Sequence, residues 1–176
     1  MLQLILGGAR SGKSRFALHQ GGEDAFPEKI FLATASAGDE EMSSRIERHK
    51  RERPSGWTTL EEPYHLKKAL VRSASHEDSL VVVDCVTLWI SNLLCGMGGK
   101  KLTAAETESE VVALLGALSS LKGNLRIVSN EVGLGLVPDN PLGRQFRDLQ
   151  GLFNQNVAKA AREVFLITAG IPQKLK

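Results

Sequence analysis

The segment Leu80-Val81-Val82-Val83-Asp84 places four apolar residues in a row, three of them valine, with no polar alternation. A strand that is apolar on both sides needs cover on both faces, and a parallel sheet between helical layers supplies it. Comparable short runs recur at Leu2–Leu6, Ile30–Ala33, Leu125–Ser129 and Val164–Thr168, with Trp57–Leu60 as a weaker strand candidate. Helical stretches fall between them. Lys13–Gln20 is one, and a second is capped by Asp39 and runs to Arg53, where Pro54 stops it. Tyr64–Arg72, Val86–Leu94, Thr103–Leu121 and Leu142–Arg162 follow. Thr103 and Glu106 fit a capping box, and Gly96, Gly98 and Gly99 end the helix before it. Strands alternating with helices predict a three-layer α/β fold with a mainly parallel sheet. Ligands in such folds gather at the carboxyl ends of the strands, and the first of these ends is Gly7.

A chain of 176 residues is the size of a single domain, and 42% apolar residues is ordinary for a globular one. A net charge of +2 is too small to suggest a general nucleic-acid or membrane binder. No apolar run reaches the length of a membrane span, and the first residues lack the pattern of a signal peptide. Cys85 and Cys95 have neither disulfide-framework nor metal-site spacing. A reducing, cytoplasmic compartment is the expectation.

Gly7-Gly8-Ala9-Arg10-Ser11-Gly12-Lys13-Ser14 fits G-x-x-x-x-G-K-[ST] at every fixed position, between a strand and a helix. In that pattern the glycines let backbone N–H groups curl inward onto phosphate oxygens, and the next helix adds its positive end. Lys13 reaches the β and γ phosphates and the Ser14 hydroxyl ligates Mg²⁺. A triphosphate-binding enzyme is the reading, against a chance Gly-rich turn. Asp84, at the end of a buried strand, is either the acidic partner of Mg²⁺ or its waters, or an N-cap for the helix after it.

The Asp39–Arg53 helix is acidic in its first turn and basic in its second half, which suits the helix dipole. Met42, Ile46 and His49 share one face, with Arg45 and Arg53 a turn to either side of His49. Those cations disfavour protonation, and a neutral imidazole is a usable nucleophile. Spacing alone is equally served by a histidine at the surface or the core edge. The stretch Ser129–Pro138, apolar for a loop, begins at a strand's carboxyl end, where it either lines a ligand or folds onto its own domain.

Several segments together resemble the bifunctional adenosylcobinamide kinase / adenosylcobinamide-phosphate guanylyltransferase family of cobalamin assembly. They are Gly7–Ser14, Ala33-Thr34-Ala35, Asp39-x-Glu41-Met42-x-x-Arg45-Ile46-x-x-His49 and Arg53-Pro54-x-x-Trp57. Asp84-Cys85-x-Thr87-Leu88-Trp89-x-x-Asn92-Leu93-Leu94, Asn130-Glu131-Val132-Gly133-x-Gly135, Arg144-x-Phe146-Arg147-Asp148 and Gly170-Ile171-Pro172 complete the set. The resemblance implies phosphorylation of adenosylcobinamide by ATP or GTP. It also implies transfer of GMP from GTP, through a GMP-histidine on His49, to adenosylcobinamide phosphate. Nucleotide contacts carry over to Gly7, Gly8, Ala9, Arg10, Ser11, Gly12, Lys13, Ser14, Ala33, Thr34, Ala35, Lys50, Arg51, Glu52, Arg53, Glu61 and Asp84. A RecA-like sheet with an antiparallel edge strand from the tail, and a homo-oligomer, trimeric in the family, are also implied. Arg162 stands where the family has an Asp, at the amino end of a strand and away from the chemistry. Two other readings compete with this one. They are a plain P-loop kinase with a structural His49, and a nucleotide-gated module with a partner surface at Gly96–Lys101.

Overall fold

The computed structural model describes residues 1–36, 40–51, 53–97 and 99–176; the side chains at 41, 42, 45, 48 and 49 also lie outside the described residues. The strands are β1 (Leu2–Gly7), β2 (Glu28–Ala33), β3 (Thr58–Glu61), β4 (Ser79–Asp84), β5 (Asn124–Asn130), β6 (Glu163–Thr168) and β7 (Ile171–Lys174). The helices are α1 (Lys13–Leu18), α2 (Glu40–Arg51), α3 (Leu66–Ser73), α4 (Val86–Cys95), α5 (Ala104–Leu118) and α6 (Pro141–Ala160). One sheet runs β3-β2-β4-β5-β1-β6-β7. Its pairings are parallel except β6–β7, so the tail forms the expected antiparallel edge.

Period-two alternation sorts the strand residues onto two faces. Leu4, Leu32, Val81, Val83 and Ile127 pack against Leu70, Trp89, Leu114 and Phe153 of α3, α4, α5 and α6. Ile5, Phe31, Val82, Val128 and Ile167 pack on the opposite side with Ala17 and Leu18 of α1. The unalternating strands are therefore buried twice, as the three-layer RecA-like expectation requires.

Helix ends depart from the expected boundaries for local reasons. The Thr103–Glu106 capping box is present, and Gly96 closes α4 in the left-handed region at φ 79°. Helix α5 stops at Leu118 rather than at Leu121, because the Ser119 and Ser120 hydroxyls donate back to Gly116 O and Ala117 O and compete with the helix ladder. Helix α6 begins earlier than expected, with the Asn140 side chain as cap and Pro141 in the first turn. The Asp39 cap, Glu52 and Gly98 lie outside the described residues.

Helix α1 is also shorter than expected, and its end exposes a feature that periodicity did not reveal. Arg126 interrupts the apolar run of β5 and points toward α1. Its Nη1 donates to Ala17 O at 2.8 Å and to Glu23 Oε1 at 2.6 Å. The Glu23 carboxylate also accepts from the N–H groups of Gln20 and Gly21. A helix of six residues has little stability of its own. This buried ion pair fixes its carboxyl end to the sheet.

Burial alone would raise the Glu23 carboxyl, but the hydrogen bond and charge of Arg126, with backbone donors, hold it below its ordinary value. A carboxyl lowered in the folded state contributes stability above its unfolded pKa and loses it as pH falls through the folded value. Arg126→Met should cost about 3 kcal/mol near neutrality. Its urea midpoint should also fall less steeply than wild type from about pH 5 downward. Parallel midpoint-against-pH curves for the two proteins would show that the pair contributes nothing.

Candidate active site

Between β1 and α1 the backbone turns through Arg10 at φ 55° and Gly12 at φ 95°. The loop is held by Ser11 N donating to Gly8 O, and by Gly170 N of the β6–β7 turn donating to Ser11 O at 2.9 Å. Gly7 permits a close approach: a Cβ there would sit 2.5 Å from the Ile167 carbonyl oxygen. Lys13 Nζ reaches back to donate to Gly8 O at 2.6 Å. The Lys13 side chain is buried, and desolvation lowers its pKa against the opposing charge of Asp84. Among the described residues the buried Ser11 hydroxyl has no hydrogen-bond partner.

A cleft of about 1320 Å³ opens above this loop. That exceeds the roughly 300–1,000 Å³ of an ordinary small-ligand pocket. Register explains what lines it. Ala33 pairs with Glu61 on one side and Asp84 on the other, while Gly7 pairs with Asn130. The carboxyl ends of β2, β3 and β4 thus lie at one level, and those of β1 and β5 project two residues beyond it. Ala9–Ser14, Ala33, Ala35, Glu61, Asp84 and Asn130 line the cleft floor and wall. Ser43, Ile46, Glu47 and Lys50 of α2 face them across it, at helical spacing.

The sequence-selected residues divide accordingly. Lys50 Nζ lies 2.9 Å from Glu61 Oε1, and that hydrogen bond raises the Lys50 pKa. Arg53 stacks 4.0 Å from the Phe31 ring centroid and donates to Thr59 Oγ1. Burial pulls its guanidinium pKa down, against the opposing charges of Asp84 and Glu61. Gly7 and Gly8 shape the loop without lining the cleft, and Arg51 is exposed outside it. Glu52 lies outside the described residues. Helix α2 carries position 49 between Ile46 and Lys50, both on the cleft, and the His49 side chain lies outside the described residues.

Two placements change what the motif residues can do. Thr34 is fully buried and does not line the cleft. Its hydroxyl donates to Cys85 O at 2.7 Å and accepts from Cys85 N at 2.9 Å. Asn92 Nδ2 donates to Thr34 O, tying α4 to the same turn. Thr34 therefore holds the Asp84–Cys85 corner rather than presenting its side chain to a ligand. Asp84 is not a helix cap, since Cys85 occupies the N-cap position of α4 without a side-chain cap bond. Burial, with the Asp84 charge beside it, pushes the Cys85 thiol up to about 12. It stays protonated and is no nucleophile.

Arg15, Pro63, Leu88 and Asn130 also line the cleft. The rule that ligands sit at strand carboxyl ends points to Asn130, but Arg15 and Leu88 carry no such signal. The apolar loop meets neither expectation. Leu134, Leu136 and Val137 are 85%, 95% and 65% exposed, so they neither line the cleft nor pack on the core.

Among the described residues no group of three or more His, Cys, Asp and Glu side chains is placed to hold a metal. A hydroxyl at Ser14 and a carboxylate at Asp84 on one cleft fit Mg²⁺, which keeps waters and takes substrate phosphates rather than an all-protein cage. Among the described residues no helix is long and apolar enough to cross a membrane.

A parallel sheet with a glycine-rich turn running from its β1 strand into α1 places the chain among the P-loop nucleotide-binding α/β proteins. A profile described as "Cobinamide kinase / cobinamide phosphate guanyltransferase" matches residues 3–175, and the chain belongs to that family. The "Bifunctional adenosylcobalamin biosynthesis protein CobP" of Pseudomonas aeruginosa is 43% identical over 176 residues, covering 100% of this chain and 98% of that one. The "Bifunctional adenosylcobalamin biosynthesis protein CobU" of Escherichia coli is 39% identical over 184 residues, covering 100% of both chains. The Salmonella typhimurium protein of the same name is 38% identical with the same coverage. Among solved structures, a KaiC-like protein from Pyrococcus horikoshii aligns with 94% of this chain and 69% of its own, at 12% identity and a TM-score of 0.48.

The loop geometry separates its first two glycines. Gly7→Ala should destabilise the fold by about 1–3 kcal/mol, because the new methyl meets backbone that cannot move cheaply. Gly8→Ala, with open space around its Cβ position, should change stability by less than about 1 kcal/mol. Chemical denaturation of both variants checks the contrast, and equal losses would contradict it.

Proposed function

We propose that this chain phosphorylates adenosylcobinamide with ATP or GTP, and then transfers GMP from GTP to adenosylcobinamide phosphate to give adenosyl-GDP-cobinamide. The observation that carries the proposal is the shared cleft. The phosphate loop forms one side, and the α2 face bearing Ser43, Ile46, Glu47 and Lys50 forms the other. The family and the full-length relatives support the pairing of the two reactions.

In the kinase step the backbone N–H groups of Gly8–Ser14 take the phosphates, and Lys13 exchanges its bond to Gly8 O for β and γ oxygens. Mg²⁺, held through Ser14 and Asp84, would neutralise charge on the β and γ phosphates. In the guanylyl step an imidazole nitrogen of His49 bonds to the α-phosphorus, and pyrophosphate leaves with the electron pair of the α–β bridge. A phosphate oxygen of the second substrate then bonds to that phosphorus as the P–N bond breaks. Ala33, Ala35, Lys50, Arg51, Glu52, Arg53 and Glu61 belong to the nucleotide's surroundings in this proposal. Thr34 acts through the Cys85 corner. The high thiol pKa of Cys85 removes a thiolate nucleophile from the cleft; the family resemblance, rather than elimination, assigns the attack to His49, since His19 lines the cleft as well. We also propose that residues 1–176 act as one domain in a homo-oligomer, trimeric by family resemblance. The exposed Leu134, Leu136 and Val137 favour assembly over a solitary chain.

Intact mass after incubation with Mg²⁺ and GTP should rise by one GMP. His49→Ala should lose label from [α-³²P]GTP while still phosphorylating adenosylcobinamide. Label that survives the substitution sinks the histidine assignment, and a wild-type protein that phosphorylates without taking label is a kinase alone.

A further inference from the structure

Strand β5 lies between the strand that ends in the phosphate loop and the strand that ends in Asp84. Its last residue, Asn130, pairs with Gly7, two positions beyond the Val128 that pairs with Asp84. Alternation along β5 decides which way it points. Ile127 lies in the core under α3–α6, Val128 under α1, and Ser129 turns back to bond Asn154 of α6. The next position faces the phosphate loop, and Asn130 lines the cleft beside Lys13 and Asp84.

The backbone that carries this side chain is fixed from three directions. Asn130 N donates to Thr87 Oγ1 of α4 at 2.7 Å. Asn130 O accepts from Asn154 Nδ2 of α6 at 3.1 Å. The next residue's N–H donates to Gly7 O of β1 at 3.1 Å. Behind it, Gln150 Nε2 donates to Ser129 Oγ, which itself donates to Asn154 Oδ1, a buried network within bonding distance throughout. Among the described residues none of these bonds uses the Asn130 carboxamide. A part-exposed carboxamide on a rigid support in a phosphate cleft, outside the bonds that fix its backbone, is the arrangement expected of a preorganised contact to developing charge.

We propose that the Asn130 carboxamide is a catalytic group of the kinase reaction, donating its amide hydrogen to an oxygen of the γ-phosphoryl group as it transfers. This rests on the functional reading above. In the step, the substrate hydroxyl oxygen bonds to the γ-phosphorus as the bond to the β,γ-bridging oxygen breaks. The nucleoside diphosphate leaves with that electron pair, and the hydroxyl proton passes to water. Charge on the equatorial oxygens meets a neutral donor whose position costs no reorganisation. A carboxamide carries no charge to repel the triphosphate, unlike Asp84 or Glu131, and it takes no proton. In guanylylation, bond making occurs at the α-phosphorus, so the γ contact changes less between ground and transition states.

The test compares wild type, Asn130→Ala and the isosteric Asn130→Asp in two assays, transfer from [γ-³²P]ATP to adenosylcobinamide and adduct formation from [α-³²P]GTP. For both variants the kinase kcat should fall about 10²-fold or more; for Asn130→Ala the nucleotide KM should change less than about threefold and the adduct rate should fall at least about tenfold less than kcat. Asn130→Asp keeps the size of the side chain but adds a charge that repels the triphosphate, so the split between kcat, KM and adduct rate is read on Asn130→Ala. A kinase kcat within about threefold of wild type in Asn130→Ala overturns the proposal. So does an equal fall in both assays, which would mark a structural effect. A wild-type protein that transfers no phosphoryl group to adenosylcobinamide overturns the functional reading itself, and this proposal with it.

Discussion

The double burial of the central strands sets the rest of this structure. Strands β4 and β5 present apolar residues to both faces, so each must be covered by helices, and the connections that supply the helices leave from the same edge of the sheet. In-register pairing levels the ends of β2, β3 and β4 at Ala33, Glu61 and Asp84, while β1 and β5 end two residues further on at Gly7 and Asn130. The cleft is a consequence of that stepped edge. Its polar residues are those that follow the last buried position of each strand, where the backbone leaves the core and a side chain can face water without cost.

Most of the framework was legible because it rests on long-range burial repeated in short words. The cores of β1, β2, β4, β5 and β6 appear as apolar runs, and each of these strands extends the expected one by a residue or two that hydrogen-bonds without being apolar; β3 is shifted by one residue from Trp57–Leu60, and the edge strand β7 has no apolar run. The phosphate loop was legible from spacing alone. Helix ends were not, where side chains decided them: Ser119 and Ser120 truncate α5 by bonding their own backbone, and Arg126 ends α1 from a different strand. A partner at long sequence separation leaves no local pattern, and so the Arg126–Glu23 pair was invisible to periodicity.

The site was legible to a lesser degree, and unevenly. Residue type together with strand position selected Lys13, Ser14 and Asp84 onto one cleft. Thr34, carried over from a family motif, is a polar residue whose buried hydroxyl serves the Cys85 backbone. A motif preserves whatever the site needs, and holding a corner is as necessary as touching a ligand. The apolar loop after β5 shows the converse. Its residues suggested burial, yet Leu134 and Leu136 face outward, because a loop of that length past a strand end has no layer above it within the chain.

The two sides of the cleft are held by different kinds of described contact. The phosphate loop, Asp84 and Asn130 belong to the sheet and its buried hydrogen bonds, which a local fluctuation opens only at high cost. The described attachments of α2 include a partly exposed ion pair from Lys50 to Glu61, and the segment after it is held by Arg53 on Phe31. Exposed ion pairs are worth little and are screened by salt. In the proposed kinase step, charge at the γ-phosphorus is met by groups fixed to the sheet, whereas the ion pair described for α2 yields at small cost. A nucleotide fixed by its β and γ phosphates presents its α-phosphorus at a different place from its γ-phosphorus, and the proposed reactions assign that second place to α2, which carries position 49 across the cleft.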